Sequence, residues 1–226
     1  MPYAAVIFDL FGTLIDERPG PYAAMMATVA RLLGVELNAL YAASLADVPK
    51  RDTGVYSGTA EQFDVLCRTL SVSPTPEHLA AAIEEYTDLQ RSRLVPREGV
   101  IETLDEIAAR GIKRGLISNT APVITGLWPD TVFPAHLDAV VLSAEVHIRK
   151  PDSAIYLIAC NQLGVRPEDC LYVGDGGANE LTGAANVGMT PILIAAPYDD
   201  APALGAKRQA WGGPTIVSIP QVLDLL

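Results

Sequence analysis

The chain has 226 residues, of which 50% are hydrophobic and 19% are charged, and its formal net charge at pH 7 is -11. This length is ample for a buried α/β core with a modest insertion, and charged residues interrupt the apolar stretches well short of a membrane span. The negative charge opposes binding to nucleic acids or anionic membranes, which both need cationic side chains. The net charge does not exclude a small anionic substrate, provided that a metal ion and one or two cations concentrate positive charge locally.

The N-terminus and the cysteines indicate the compartment. Met1 to Tyr3 lead directly into an apolar run without a basic region or a cleavage site, which predicts a cytoplasmic protein. Cys67, Cys160 and Cys170 are widely spaced and each has an apolar neighbour, which favours buried reduced thiols over a disulfide or zinc site. The residues leave monomer and homodimer both open.

The chain begins with one strand and continues with a helical region. An apolar run predicts the strand at 4–9, whereas residues 17–96 show helical periodicity and no clear strand. Glycine and proline divide this region into four predicted helices, at 20–33, 36–47, 57–71 and 76–93.

After residue 98, short apolar runs alternate with helical patterns, which is typical of βαβ units and a parallel sheet. Asp152 and Gly164 are the expected first and last boundaries of one of these helices. A surface loop is expected near 195–206. The predicted strands are 113–118, 138–142, 170–174, 190–195 and 214–217, and the predicted helices are 99–110, 152–164 and 179–187.

The first strand ends in a carboxylate. The apolar run Val6 to Phe8 leads into Asp9, and a Phe11-Gly12-Thr13 turn follows. The carboxyl edge of a parallel sheet is where open α/β folds bind ligands, so Asp9 is a candidate nucleophile.

Three further segments place polar residues beside predicted strands or helices. Ser118 and Asn119 end the strand at 113–118, and Lys150-Pro151 precedes the helix that starts near Asp152. After the strand at 170–174, the acids Asp175 and Glu180 stand five residues apart around a Gly-Gly turn.

In this order and spacing, the four segments resemble the motifs of the haloacid dehalogenase-like (HAD) hydrolase superfamily. The resemblance implies a Rossmann-like parallel sheet core at 1–16 and 97–226. It implies an aspartyl-phosphate formed on the nucleophile, oxygens of the phosphoryl group bound by hydroxyl groups, and a lysine that neutralises charge. The corresponding catalytic residues are Asp9, Thr13, Ser118, Asn119 and Lys150, of which Ser118 and Asn119 also bind substrate.

The resemblance also implies a magnesium site. Its direct ligands would be the carboxylates of Asp9 and Asp175 and the backbone carbonyl of Phe11, with Glu180 acting through water. Carboxylate oxygens, water and substrate phosphate are the ligands that Mg²⁺ prefers.

The helical region at 17–96 resembles the C1-type cap of the superfamily, which closes over the nucleophile. Its hinges are expected near 16–20 and 94–99, where proline and glycine cluster, and its motion would exclude water from the site. The candidates for substrate choice on this region are Tyr22, Arg51, Tyr56 and Gln62.

Phe11 stands where most phosphatases of the superfamily have a second aspartate that protonates the leaving group. Loss of a general acid removes about 10²- to 10⁴-fold in rate. The substrate therefore has a good leaving group, or a cap residue or the substrate itself supplies the proton. An aromatic residue at this position also resembles the dehalogenases of the superfamily, in which aspartate attacks carbon without a metal.

Charge counting favours the phosphatase. Asp9, Asp175 and Glu180 against Lys150 leave a site near -2, which would repel an anionic substrate until a divalent cation binds. The dehalogenases lack the acid corresponding to Asp175 and need a cationic or aromatic halide cradle. The clearest candidate for that cradle, Arg51, lies in a stretch that we interpret as an exposed loop.

Two other readings stay open. A phosphonatase would need a cap lysine, for which Lys50 is the only candidate in the predicted cap. A binding or regulatory module inactivated by Phe11 would be expected to have lost some of the motif residues, yet these are present together. We therefore favour a Mg²⁺-dependent phosphatase of a small cytosolic metabolite.

Overall fold

The computed structural model describes residues 3–17, 19–195 and 211–226. In this part of the chain, six parallel strands form one sheet in the order β3-β2-β1-β4-β5-β6, which confirms the predicted α/β class and all six strands. The strands are β1 (Ala5–Phe8), β2 (Lys113–Ser118), β3 (Ala139–Leu142), β4 (Cys170–Gly174), β5 (Thr190–Ile194) and β6 (Thr215–Ile216).

Helices cover both faces of the sheet and fill the segment between β1 and β2. Asp152 caps one helix by accepting a hydrogen bond from the Ala154 N-H, and Gly164 ends it with a φ of 68°, so both predicted boundaries are confirmed. The α-helices are α1 (Pro19–Leu33), α2 (Leu37–Asp52), α3 (Thr59–Thr69), α4 (Pro76–Arg93), α5 (Val100–Ala109), α6 (Pro122–Leu127), α7 (Ser143–Val146), α8 (Ser153–Leu163) and α9 (Glu180–Asn186).

The central strand β1 is fully buried, because alternate side chains enter different hydrophobic clusters. Val6 and Phe8 pack into a cluster shared with α1, α4 and α5, whereas Ala5 and Ile7 pack into one shared with α8 and α9. The pleat of a strand sends successive side chains to opposite faces, and a sheet covered on both faces therefore needs apolar residues at every position.

The register aligns the ends of the three central strands. Phe8 of β1 pairs with Leu116 of β2 and with Val173 of β4. The residues that end or follow these strands therefore meet at the carboxyl edge of the sheet.

Two chain segments connect α1–α4 to the sheet, and they run antiparallel to each other where Ile15 and Pro96 meet. Ile15 forms a bridge with Pro96, and two ion pairs of 2.9 Å lie beside it, Asp16 with Arg97 and Glu17 with Arg93. These connections coincide with the predicted hinges, although Arg18 falls outside the described residues. The division into a core and a cap domain stays a prediction.

Helix α2 is longer than expected. The prediction that it ends at residue 47 is wrong, because the helix continues through Pro49 to Asp52. A proline inside a helix costs about 3 kcal/mol. The extra turn buries the Asp52 carboxylate 3.1 Å from Arg51 and 3.4 Å from Arg149, and we infer that these contacts offset the cost.

Two helices were not predicted at all. Helices α6 and α7 contain six and four residues, which is too short for hydrophobic periodicity to be recognised. The predicted loop near 195–206 lies almost entirely outside the described residues.

Within the described ranges, no single helix is long and apolar enough to cross a membrane. The helices at 20–33 and 37–52 meet the length and composition criteria only as a pair, which is bent by 108° at its break.

We predict that close packing between the turn after α2 and helix α7 leaves no room for a side chain at position 54. A Cβ atom on Gly54, whose φ is +63°, would lie 2.0 Å from the carbonyl oxygen of Ala144. The control Gly34 has a φ of +71° and nothing within 4 Å. Gly34→Ala should cost about 1–2 kcal/mol of unfolding free energy from left-handed strain alone. Gly54→Ala should cost about 1–3 kcal/mol more from overpacking. Urea denaturation measures both, and equal losses would contradict this contact.

Candidate active site

Asp9 lies one residue beyond β1 at the carboxyl edge of the sheet. Its backbone N-H donates to the Val173 carbonyl at 2.9 Å, and its side chain is buried. The Thr13 hydroxyl donates to one carboxylate oxygen at 3.4 Å, and Lys150 Nζ donates to the other at 2.5 Å. Asp9 therefore occupies the predicted place of the nucleophile, with a cation beside it.

Lys150 connects two buried carboxylates. Its Nζ lies 2.5 Å from Asp9 Oδ1, 2.5 Å from Glu180 Oε2 and 3.2 Å from the Tyr172 hydroxyl. Burial by itself would lower the pKa of Lys150, but the negative charges of Asp9 and Glu180 raise it above its usual range. The lysine is thus held as an ammonium ion although only 2% of it is exposed.

Glu180 is bound through both carboxylate oxygens. Oε1 accepts a hydrogen bond from the Gly176 N-H at 3.0 Å, and Oε2 accepts bonds from Lys150 and from the Tyr172 hydroxyl at 2.8 Å. Its backbone carbonyl accepts a bond from the Tyr156 hydroxyl at 2.9 Å. These hydrogen bonds hold the Glu180 carboxylate against Lys150.

Tyr156 and Tyr172 were missed in the sequence analysis. Tyr172 is fully buried in a strand, and Tyr156 is fully buried in helix α8. A tyrosine in such a position needs a partner for its hydroxyl group, which was the signal available in the sequence.

Three acidic side chains converge at the carboxyl edge of the sheet. Asp9, Asp175 and Glu180 each offer an oxygen within 4.8 Å of the others, and all three residues are buried. Burial raises the pKa of Asp9 to about 6, Lys150 opposes this shift, and the nearby Asp175 adds to it. Such an arrangement can bind a divalent cation, which would relieve the repulsion.

Gly12 permits the close approach of Asp175. A Cβ atom at this position would lie 2.6 Å from Asp175 Oδ2, and the backbone has a φ of +73°. The other oxygen of Asp175 accepts a hydrogen bond of 2.8 Å from the Gly177 N-H. The turn after β1 thus brings the two acidic segments together.

Ser118 and Asn119 lie at the end of β2 with different environments. Ser118 is fully buried, and its hydroxyl oxygen finds no hydrogen-bond partner within the described part of the chain. The Asn119 amide accepts a bond from the Lys150 N-H at 2.8 Å and donates to the Lys150 carbonyl at 3.3 Å. The Ser118 hydroxyl therefore has unused hydrogen-bonding capacity, whereas Asn119 holds the backbone of Lys150.

Two of the candidates for substrate choice, Arg51 and Tyr22, lie on α2 and α1. Arg51 lies in the last turn of α2 with 17% of its side chain exposed, so the interpretation of its stretch as an exposed loop is wrong. The error follows from ending α2 before Pro49. Arg51 and Tyr22 interact electrostatically, and burial is the main cause that raises the pKa of Tyr22 to about 12.

The other candidates, Tyr56, Gln62 and Lys50, differ in burial and in hydrogen bonding. The Tyr56 hydroxyl donates to the Asp47 carboxylate, which engages its polar group within the helical segment. Gln62 is buried, and its Oε1 has no hydrogen-bond partner among the described residues. Lys50, which the phosphonatase reading requires, is exposed.

The family model of haloacid dehalogenase-like hydrolases matches residues 3–188 of the chain. The protein belongs to this family, and it is a hydrolase, as the four motifs indicated.

Named relatives of the chain include phosphatases. It is 32% identical to glyceraldehyde 3-phosphate phosphatase from Methanopyrus kandleri over 61% of this chain and 60% of that protein. The chain thus spans less than two thirds of that relative. It is 30% identical to phosphoglycolate phosphatase from Salmonella choleraesuis over 82% of this chain and 80% of that protein.

Among solved structures, L-2-haloacid dehalogenase from Xanthobacter autotrophicus with covalently bound chloropropionic acid matches with a TM-score of 0.65. The match covers 99% of this chain and 98% of that chain at 20% identity. At this identity, the likeness supports the fold alone.

We predict that Lys150 is needed for stability because it compensates buried charge. Lys150→Met should lower the free energy of unfolding by about 3–5 kcal/mol, since Asp9 and Glu180 lose their cation. Adding Glu180→Gln removes one of these charges, so the double variant should be more stable than Lys150→Met alone.

Urea denaturation provides the measurement for both variants. The control Lys113→Met changes an exposed lysine at the start of β2 and should stay within about 0.5 kcal/mol of the parent. Additive losses in the double variant would mean that the lysine and the glutamate are not coupled.

Proposed function

We propose that the protein is a Mg²⁺-dependent phosphatase that acts on a small phosphorylated metabolite through an aspartyl-phosphate on Asp9. The cluster of Asp9, Asp175 and Glu180, two of which bond Lys150, carries this proposal. Three carboxylates against one ammonium leave an excess of negative charge, so an anionic substrate needs a bound cation before it can approach. The phosphatase relatives support the same reaction class.

The donor set fits a magnesium ion. Asp9 and Asp175 would hold it, together with the backbone carbonyl of Phe11, and water and substrate would complete the coordination. We assign Glu180 a supporting part, because both of its oxygens accept hydrogen bonds from protein groups. When bound, the ion would neutralise charge on the phosphoryl oxygens.

In this reaction, each protein group has a separate role. Asp9 attacks phosphorus, a bond forms between a carboxylate oxygen and phosphorus, and the bond to the leaving oxygen breaks. Water next attacks the aspartyl-phosphate, releasing phosphate and the free carboxylate. Lys150, Ser118 and Thr13 hold the phosphoryl oxygens and balance their charge, whereas Asn119 positions Lys150.

Phe11 determines which leaving groups are practical. Its side chain cannot donate a proton, so the leaving oxygen departs as an anion or takes a proton from water or from the substrate. Acyl and aryl phosphates satisfy this condition because their leaving groups are stable anions.

Dehalogenation is the second candidate, and one observation favours it. The Arg51 side chain is largely buried and interacts electrostatically with Tyr22 and Tyr86, so it could supply the cation that a halide cradle needs. Asp175 argues against it, because a second carboxylate near Asp9 would repel a haloacid in the absence of a metal.

Asp9→Asn tests the nucleophile. With Mg²⁺ and p-nitrophenyl phosphate, whose leaving group needs no acid, we expect this variant to lose at least about 10³-fold in kcat. Asp64→Asn makes the same chemical change at an exposed position of α3 and should retain full activity. Parent-like turnover by Asp9→Asn would remove Asp9 as the nucleophile.

Chelation separates the two candidate reactions. We expect EDTA to abolish hydrolysis of p-nitrophenyl phosphate, added Mg²⁺ to restore it, and 2-chloropropionate to release no chloride. Chloride release that persists in EDTA would identify a dehalogenase instead. Phosphate release and chloride release are measured on the same preparation.

A further inference from the structure

Two of the three cysteines have their sulfur atoms in contact. Cys160, in α8, and Cys170, the first residue of β4, have their Sγ atoms 3.9 Å apart. Both thiols are free and buried, and both residues belong to the hydrophobic cluster that β1 shares with α8 and α9. The ten residues from one cysteine to the other give no local signal of this contact, because it depends on how the chain turns between helix and strand.

The cysteine pair contacts an exposed turn. Gly164 ends α8, and the turn that leads from it to β4 contains the exposed residues Arg166 and Glu168. The Cys170 thiol donates a hydrogen bond to the Arg166 carbonyl at 3.3 Å. A small reagent therefore reaches the buried sulfur atoms when this turn opens locally, without unfolding of the sheet.

The two thiols differ in acidity. A hydrogen bond from Cys170 lowers the pKa of Cys160, although burial acts in the opposite direction. The same bond and burial raise the pKa of Cys170 above its usual value. Because the thiolate is the form that reacts with oxidants, Cys160 is the sulfur expected to react first, and Cys170 is the thiol placed to attack it next.

We propose that Cys160 and Cys170 form a site of reversible oxidation, at which hydrogen peroxide converts the two thiols into a disulfide that stabilises the connection between α8 and β4. The Cys160 thiolate attacks one peroxide oxygen, the O-O bond breaks, and hydroxide leaves, so that Cys160 becomes a sulfenic acid. The Cys170 sulfur then loses its proton and attacks the Cys160 sulfur, and the S-O bond breaks. Two thiols and one hydrogen peroxide thus become one disulfide and two waters.

The disulfide would form at the edge of the sheet opposite the candidate active site. Cys170 pairs with Ala5 at the start of β1, whereas Asp9 and Asp175 follow the other ends of β1 and β4. Oxidation at this place is therefore independent of the proposed phosphatase reaction. A cross-link that closes a short loop restricts the unfolded chain, which should raise the melting temperature by about 5–10 °C.

The folded protein is treated with a small excess of hydrogen peroxide, and its thiols are counted after unfolding in urea. The chain has three cysteines, and we expect one thiol to remain. The mass of the single chain should fall by about 2 Da, because two hydrogen atoms leave. Peptide mapping should link the segments that contain Cys160 and Cys170, and dithiothreitol should restore all three thiols and the parent melting temperature.

Cys67→Ala is the matched control. Cys67 is also buried, but it belongs to the hydrophobic cluster that β1 shares with α1, α4 and α5. This variant should lose both of its thiols with the same fall in mass and the same rise in melting temperature. Cys160→Ala and Cys170→Ala should form no disulfide, and oxidation should not raise their melting temperatures.

Several results would overturn the site. The parent protein could keep all three thiols under peroxide that oxidises free glutathione, gain oxygen without losing hydrogen, or form disulfides between chains. Disulfide formation within Cys160→Ala or Cys170→Ala would show that Cys67 takes part instead. An oxidised parent whose melting temperature does not rise would contradict the stabilising cross-link. None of these readouts requires turnover, so they hold whether or not the protein hydrolyses phosphate esters.

Discussion

The site depends on one buried ammonium ion that lies between two carboxylates. Lys150 compensates Asp9 and Glu180 at once, and burial of those acids without it would be strongly unfavourable. Neighbouring groups hold the ammonium in this position. Asn119 forms hydrogen bonds with the Lys150 backbone, and the Tyr172 hydroxyl forms hydrogen bonds with both Lys150 Nζ and Glu180. The charge to which we assign a catalytic role therefore also stabilises the fold.

The parallel sheet makes this arrangement possible. Asp9, Ser118 and Asp175 come from segments far apart in the chain, and they meet because β1, β2 and β4 end at nearly the same level. Asp9 follows β1 and Asp175 follows β4, so the two carboxylates lie close together. Repulsion among these acids lowers stability. In our proposal, a divalent cation relieves this repulsion when it binds, and this relief contributes to its affinity.

The helices between β1 and β2 contribute charge of the opposite sign. Arg93 lies over the Phe11 ring, whereas Asp175 and Glu180 lie close to Asp9, so a guanidinium group and a group of carboxylates both lie near the turn after β1. Phe11 thus cannot supply a proton at its own position, and its ring contacts a guanidinium group.

Local sequence determined the six strands, most helices and the order of the motifs, because apolar periodicity, Asp152 and Gly164 act over a few neighbouring residues. The same reasoning failed at Pro49, where contacts of Asp52 with a distant arginine outweigh a local preference. Only the tertiary structure decided that Tyr156 and Tyr172 hold Glu180 and that Arg93 covers Phe11. These contacts join residues far apart in the chain, and no spacing pattern encodes the packing that brings them together.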